Sequence, residues 1–167
     1  ALALLLTRTP ESIRIAPPRG ILLFGPPGNG KTLLAAAASR TLAEACGGKA
    51  SFFDVRLPFV LSKYFGESSR IVSEVYRAAR ERSPAIVFVD ELDALTRDRD
   101  ADESGPERRI LATFLSELDG LAAKGTRSGI LTIAATNRPW DIDAAVLSRF
   151  ERRILVPLPG SEARRGI

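Results

Sequence analysis

The chain has 167 residues, of which 45% are hydrophobic and 26% are charged. This composition is too apolar for a disordered segment and suits one domain with a single core. Lys and Arg exceed Asp and Glu by 24 to 20, and these basic residues are spread out rather than gathered into a patch for nucleic acid. One cysteine and no histidine exclude a disulfide framework, a zinc cluster and a histidine-dependent nucleophile.

The amino-terminal segment carries no clear targeting signal. Residues 1–6 are apolar, but they are too few to span a bilayer and follow no positively charged region. A lone cysteine, Cys46, favours a reducing compartment. We therefore expect a cytoplasmic protein without membrane insertion, and the missing initial Met suggests a fragment of a longer chain.

Short apolar runs alternate with helical patterns, which predicts an α/β fold with a parallel sheet flanked by helices. The five predicted strands lie at residues 21–24, 51–56, 85–89, 130–135 and 154–156. The four predicted helices lie at residues 31–45, 68–83, 106–118 and 144–150. Ser68 or Ser69 is expected to cap the second helix, and Gly120 is expected to end the third.

A glycine-rich motif lies between the first predicted strand and the first predicted helix. It matches G-x-x-x-x-G-K-[ST] and consists of Gly25, Pro26, Pro27, Gly28, Asn29, Gly30, Lys31 and Thr32. Glycines let successive N–H groups point at phosphate oxygens, and the helix N-terminus adds partial positive charge. Lys31 is expected to reach the β- and γ-phosphates of a nucleotide, and the Thr32 hydroxyl to bind Mg²⁺. A glycine turn with an incidental lysine is the weaker interpretation, because the setting also matches.

Two carboxylates, Asp90 and Glu91, follow the third predicted strand. In an open α/β sheet, ligands bind at the carboxyl ends of the strands, where the glycine-rich loop also lies. Asp90 is therefore a candidate ligand of Mg²⁺ through water, and Glu91 a candidate to polarise the water that attacks the γ-phosphate. The alternative is an acidic strand end that serves only solubility.

Asn137 follows the fourth predicted strand. If that strand lies beside the first, the Asn137 amide falls between the other two strand ends, where it could hold the attacking water or contact the γ-phosphate. Taken alone, Thr-Asn before Arg138 and Pro139 is an ordinary turn signal.

Together these segments resemble the Walker A, Walker B and sensor 1 motifs of the AAA family of AAA+ ATPases. The resemblance runs from about residue 18 to residue 159 and is closest to the katanin, spastin and vacuolar-sorting branch, through Asn29 and residues 63–68 and 155–159. It implies a P-loop NTPase fold, with ATP and Mg²⁺ bound. It also implies that residues 1–167 form the large nucleotide-binding subdomain, without the helical lid of family members.

The resemblance assigns further roles. Arg149 and Arg152 match arginine fingers, which reach into the nucleotide site of a neighbouring subunit, whereas Arg153 is expected to be structural. Lys63, Tyr64 and Phe65 match the first pore loop, in which the aromatic Tyr64 would grip a polypeptide. Residues 97–109 correspond to a second pore loop, although a solvated surface loop accounts for most of their charges.

The resulting expectation is a Mg²⁺-dependent ATPase that forms a homo-oligomeric ring, with six subunits the expected number. Such a ring would remodel, unfold or disassemble protein substrates and would hold no stable nucleic acid. One alternative is a nucleic-acid-acting AAA+ ATPase of the clamp-loader or initiator type, which the aromatic pore loop disfavours. Another is a nucleotide-binding scaffold without catalysis, which the presence of Lys31, Asp90, Glu91 and Asn137 disfavours.

Overall fold

A computed structural model describes residues 18–63, 67–95, 106–123 and 129–160 of the chain. Their five strands are β1 (Gly20–Phe24), β2 (Ser51–Arg56), β3 (Ala85–Asp90), β4 (Ile130–Thr136) and β5 (Arg152–Leu155). The strands form one sheet in the order β2-β3-β4-β1-β5, and every neighbouring pair is parallel. The predicted five-stranded parallel sheet is therefore confirmed.

The burial of each strand follows from its position in the sheet. The central strand β3 is covered on both faces, and its residues from Ala85 to Val89 are at most 2% exposed. This explains its unbroken apolar sequence, because a strand buried on both sides has no solvent-facing positions. The edge strand β2 instead alternates between more and less exposed residues.

Helices cover both faces of the sheet. They are α1 (Lys31–Ala45), α2 (Leu57–Lys63), α3 (Ser68–Glu81), α4 (Pro106–Ala123) and α5 (Ala144–Leu147). Two short 3₁₀ turns, Leu92–Leu95 and Pro139–Asp141, follow β3 and β4. On one face, α1 packs Ala35 and Ala38 against the sheet. The larger part of the core, with α3 and α4, lies on the other face. None of the helices described here is long and apolar enough to cross a membrane.

Three aromatic side chains form the centre of the larger core layer. Tyr76 lies 6.3 Å from Phe114, and Phe114 lies 6.5 Å from Phe150, measured between ring centroids. Burial raises the pKa of Tyr76 well above its usual range. The Tyr76 hydroxyl lies 3.0 Å from the Thr132 hydroxyl of β4, so both buried groups have a hydrogen-bond partner.

One predicted helix cap and one predicted helix end are wrong. Helix α3 begins at Ser68 itself, after Glu67, and has no side-chain cap. The Ser68 hydroxyl donates instead to the Val60 carbonyl of α2, a helix that was not predicted. Helix α4 continues past Gly120 to Ala123, because the fully buried Leu121 extends its apolar stripe into the core.

The last helix and strand also differ from prediction. Helix α5 ends at Leu147 rather than at residue 150. Strand β5 covers Arg152–Leu155 rather than 154–156, because these four residues pair with Ile21 to Phe24 of β1. Strands β1, β3 and β4 each extend one residue beyond the predicted range.

Candidate functional site

Three predicted site segments meet at one edge of the sheet. The glycine-rich loop follows β1, Asp90 is the last residue of β3, and Asn137 directly follows β4. Strand β4 lies between β3 and β1, so Asn137 emerges between the other two segments. The condition on which its predicted position depended, namely that β4 lies beside β1, is met.

The backbone of the glycine-rich loop adopts conformations that favour glycine. Gly25 and Gly30 have φ angles of 147° and 85°. A Cβ atom on Gly25 would also clash with the carbonyl oxygen of Val156. Gly30 immediately precedes α1 and, having no side chain, caps none of its N–H groups. The first-turn N–H groups of α1 have no carbonyl one turn earlier, so they remain suited to an anion.

The Lys31 side chain lies inside this loop and is only 7% exposed. Its Nζ donates to the carbonyl oxygens of Gly25 at 3.0 Å and Pro26 at 2.8 Å, and to Asn29 Oδ1 at 3.0 Å. Asn29 Nδ2 donates in turn to the Val156 carbonyl. Burial lowers the pKa of Lys31, and the charges of Asp90 and Asp93 oppose that shift. The loop thus places an ammonium group beside the amino end of α1.

A hydrogen bond joins the loop to the end of β3. Thr32 Oγ1 donates to Asp90 Oδ2 at 3.2 Å, and the Glu91 N–H donates to Asp90 Oδ1 at 2.9 Å. A hydroxyl and a carboxylate oxygen at this distance are hard ligands of the kind that Mg²⁺ prefers. Within the described ranges no three acidic or cysteine side chains could hold a metal by themselves. A Mg²⁺ ion here would therefore complete its coordination with phosphate oxygens and water.

Glu91 has an unusual backbone conformation. Its φ angle of 54° is the one positive φ of a residue other than glycine in the described part of the chain. Its carbonyl accepts a hydrogen bond from the Ala94 N–H at 2.9 Å, which closes the turn after β3. Backbone strain of this kind concentrates at functional sites, where the surrounding structure holds it in place.

Two buried polar residues behind this edge were not singled out from the sequence. Asp93, in the 3₁₀ turn after β3, and Thr136, the last residue of β4, are each 1% exposed. Thr136 Oγ1 donates to Asp93 Oδ1 at 2.9 Å. The available sequence signal was an aspartate inside the otherwise apolar segment 92–95.

Arg149 lies at the opposite edge of the sheet. Its carbonyl oxygen would be 2.5 Å from a Cβ atom placed on Gly20, the first residue of β1, whereas the glycine-rich loop follows the last residue, Phe24. At a rise of about 3.3 Å per residue, the strand keeps the Arg149 backbone far from the loop of its own chain.

The guanidinium of Arg149 is engaged within the chain. Its Nε and Nη2 donate to the two carboxylate oxygens of Asp119 at 3.0 and 3.1 Å. Its Nη1 donates to the Ala145 carbonyl and to the Ser148 hydroxyl, each at 2.9 Å. The hydrogen bond from Arg149 lowers the pKa of Asp119, and Asp119 raises the pKa of Arg149.

Of the other predicted site residues, some lie in the part of the chain that the structure describes and others lie outside it. Arg152 is an exposed residue that opens β5 opposite Ile21, and Arg153 donates to the Leu147 carbonyl at 2.9 Å. Lys63 is the last residue of α2. Tyr64 and Phe65 lie outside the described residues, as do residues 97–105 of the second predicted pore loop.

Comparison with known proteins identifies clear relatives. A model of the ATPase family associated with various cellular activities (AAA) matches residues 21–158. Spastin from Sus scrofa is 45% identical over 149 residues, which make up 89% of this chain and 23% of that protein. Spastin from Danio rerio is also 45% identical, over 89% of this chain and 25% of its own length. The chain therefore spans about a quarter of these relatives.

Solved structures give the same result. The crystal structure of the FIGL-1 AAA domain in complex with ADP matches with a TM-score of 0.75 at 38% identity, covering 90% of this chain and 47% of that chain. A second crystal structure of the FIGL-1 AAA domain matches with a TM-score of 0.76 at 36% identity and with the same coverage. The family and the branch predicted from the sequence are confirmed.

The positive φ angle of Glu91 predicts that glycine at this position is more stabilising than alanine. A side chain in the left-handed region costs about 1–2 kcal/mol, which glycine avoids. We expect Glu91→Gly to be more stable than Glu91→Ala by about 1 kcal/mol, although glycine is normally the weaker choice. Urea denaturation of both variants measures the difference. An alanine variant as stable as the glycine variant would contradict a constrained turn at Glu91.

Proposed function

The chain belongs to the ATPase family associated with various cellular activities, and from this premise we propose that it binds ATP with Mg²⁺ and hydrolyses it to remodel protein substrates as part of a ring-shaped homo-oligomer. One observation carries the proposal. The Thr32 hydroxyl contacts the Asp90 carboxylate at 3.2 Å, beside the buried ammonium of Lys31. The glycine-rich loop, the Thr32–Asp90 pair and Glu91 therefore lie at one edge of the sheet, which supports a site for a nucleotide phosphate and Mg²⁺.

In this proposal the glycine-rich loop holds the phosphates. Its N–H groups and the amino end of α1 face the phosphate oxygens, and Lys31 exchanges its bonds to the loop for bonds to the β- and γ-phosphates. Thr32, and Asp90 through water, would hold Mg²⁺, which would supply positive charge to offset the negative charge of the phosphates. The ADP in the matching FIGL-1 AAA domain structure supports nucleotide binding by this fold.

Glu91 and Asn137 act on the attacking water in the proposed reaction. The Glu91 carboxylate accepts a hydrogen bond from the water and orients its oxygen toward the γ-phosphate. Asn137 directly follows β4, between β3 and β1, and its amide holds the water or the γ-phosphate in this proposal. Neither role requires histidine, which the chain lacks.

Arg149 and Arg152 complete the site of a neighbouring subunit in this proposal. Both lie toward the amino ends of the strands, away from the loop of their own chain. A cation delivered in trans stabilises the charge that develops on the γ-phosphate and makes hydrolysis depend on assembly. Arg149 would first have to leave Asp119, with which it forms two hydrogen bonds.

The proposed assembly is a cytoplasmic hexamer in which residues 1–167 are the large nucleotide-binding subdomain. Lys63, Tyr64 and Phe65 would line its pore and contact the polypeptide, since an aromatic ring can grip a chain of any sequence. We favour a protein substrate over nucleic acid because the basic residues of the sequence are dispersed.

Substitution of Glu91 separates nucleotide binding from hydrolysis. We expect Glu91→Gln to bind a fluorescent ATP analogue within about twofold of the unsubstituted chain and to lose 10²-fold or more in turnover, about the contribution of a positioned base. Lys31→Ala should lose binding as well. Glu81→Gln, an exposed glutamate on α3, is the matched control and should keep both. Unchanged turnover in Glu91→Gln would rule out the role assigned to Glu91.

The class of substrate predicts what stimulates turnover. If the chain acts on polypeptides, an unfolded protein should raise the rate of ATP hydrolysis at least several-fold, and single-stranded DNA at equal mass should not. The effect should disappear in Tyr64→Ala, whereas Phe59→Ala, an exposed aromatic of α2, should retain it. Stimulation by DNA alone would instead support the clamp-loader or initiator alternative.

A further inference from the structure

A buried carboxylate lies directly behind the proposed catalytic edge. Asp93 belongs to the 3₁₀ turn Leu92–Leu95, two residues beyond Glu91, and its neighbours Leu92 and Leu95 belong to the core. Burying a carboxylate costs free energy unless the group is hydrogen-bonded. A carboxyl group at this position is therefore expected to have hydrogen-bond partners that hold it in place.

Hydrogen bonds connect Asp93 to the turn that carries Asn137. Asp93 Oδ1 accepts from Thr136 Oγ1 at 2.9 Å, and Thr136 Oγ1 accepts from the Arg138 N–H at 3.0 Å. Thr136 thus donates a hydrogen bond to the turn after β3 and accepts one from the turn after β4. Asn137 lies between the two residues whose hydroxyl and N–H groups form this contact.

The turn that contains Asp93 is also hydrogen-bonded to Glu91. The Ala94 N–H donates to the Glu91 carbonyl at 2.9 Å, which ties the turn containing Asp93 to the strained backbone of Glu91. The charge of Asp93 also acts on the phosphate loop, because it raises the pKa of Lys31 against the larger effect of burial. One carboxylate is therefore linked to the loop and to both strand-end turns.

We propose that Asp93 and Thr136 are positioning residues that fix Glu91 and Asn137 relative to each other across the edge of the sheet. The inference rests on the proposed function, because it assigns both fixed side chains to the hydrolytic step. For substitution of Thr136, which leaves the Asp93 side chain in place, it predicts a loss in kcat with little change in nucleotide affinity.

Removal of the Thr136 hydroxyl tests the proposal. In Thr136→Val, which keeps the shape of the side chain, we expect kcat to fall at least about 10-fold, as for partners that orient active-site groups, with KM within about twofold. Thr136→Ser, which keeps the hydroxyl, should restore kcat. Thr136→Ala is a second variant for the case that valine prevents folding. Its smaller side chain leaves room for a water molecule that can donate a hydrogen bond to Asp93.

Strand β4 offers a matched control. Thr132 lies four residues earlier on the same face of the strand, is fully buried, and shares a hydrogen bond with Tyr76. Thr132→Val therefore removes a comparable buried hydroxyl at a distance from the catalytic edge. It should lower the free energy of unfolding without reducing kcat in folded protein.

Amide hydrogen exchange provides a readout that does not require hydrolysis. In nucleotide-free protein, Thr136→Val and Thr136→Ala should accelerate exchange of the Arg138 N–H by about 10-fold or more, because its acceptor is lost. They should also shift the amide resonances of Asn137 and Glu91, and Thr132→Val should leave all three unchanged. These measurements test the connection even if the chain hydrolyses no ATP, so the two proposals can fail separately.

Three results would overturn the inference. The first is an unchanged kcat in folded Thr136→Val, and the second is a loss in Thr136→Ser as large as that in the valine variant. The third is global unfolding of both Thr136→Val and Thr136→Ala while Thr136→Ser stays folded and active, which would assign the hydroxyl to stability alone.

Discussion

All five strands run parallel, and the candidate site depends on this constraint because it brings their carboxyl ends to a single edge. The loop after β1 and the acidic end of β3 are about sixty residues apart in sequence, yet Thr32 and Asp90 form a hydrogen bond. Strand β4 fills the space between them and brings Asn137 to the same edge. A buried ammonium (Lys31), two candidate oxygen ligands (Thr32 and Asp90) and the strained residue Glu91 thus come together through strand direction and order.

The same geometry places the candidate arginines at the opposite edge. A strand that carries its loop at one end cannot also bring Arg149, beside its other end, to that loop. In the proposed function, the two parts of the hydrolytic site therefore lie at opposite ends of the strands within one chain, and a second subunit would bring them together. Asp119 meanwhile gives the Arg149 guanidinium a carboxylate partner within the chain, which a phosphate would have to replace.

The sequence predicted what short-range patterns encode: the apolar strands, the glycine-rich loop and the residues at the strand ends. It could not predict contacts that depend on packing between distant segments. Asp93 and Thr136 are 43 residues apart, and nothing local indicates their hydrogen bond. Ser68 was expected to cap a helix, but its hydroxyl reaches the Val60 carbonyl of a neighbouring helix. Gly120 was expected to end a helix, but burial of the next residue outweighs its weak propensity.

Mixing two inactive variants tests the divided site most directly. Arg149→Ala keeps Glu91 and lacks the arginine, whereas Glu91→Gln keeps the arginine and lacks the carboxylate. Random mixed rings in equal amounts should regain about one quarter of the unsubstituted turnover per subunit, because that fraction of interfaces pairs an intact site with an intact Arg149. Arg149→Ala mixed with the double variant Glu91→Gln/Arg149→Ala should stay inactive, because no subunit in that mixture supplies Arg149. Turnover of the first mixture no greater than the sum of its separate components would contradict a site shared between subunits.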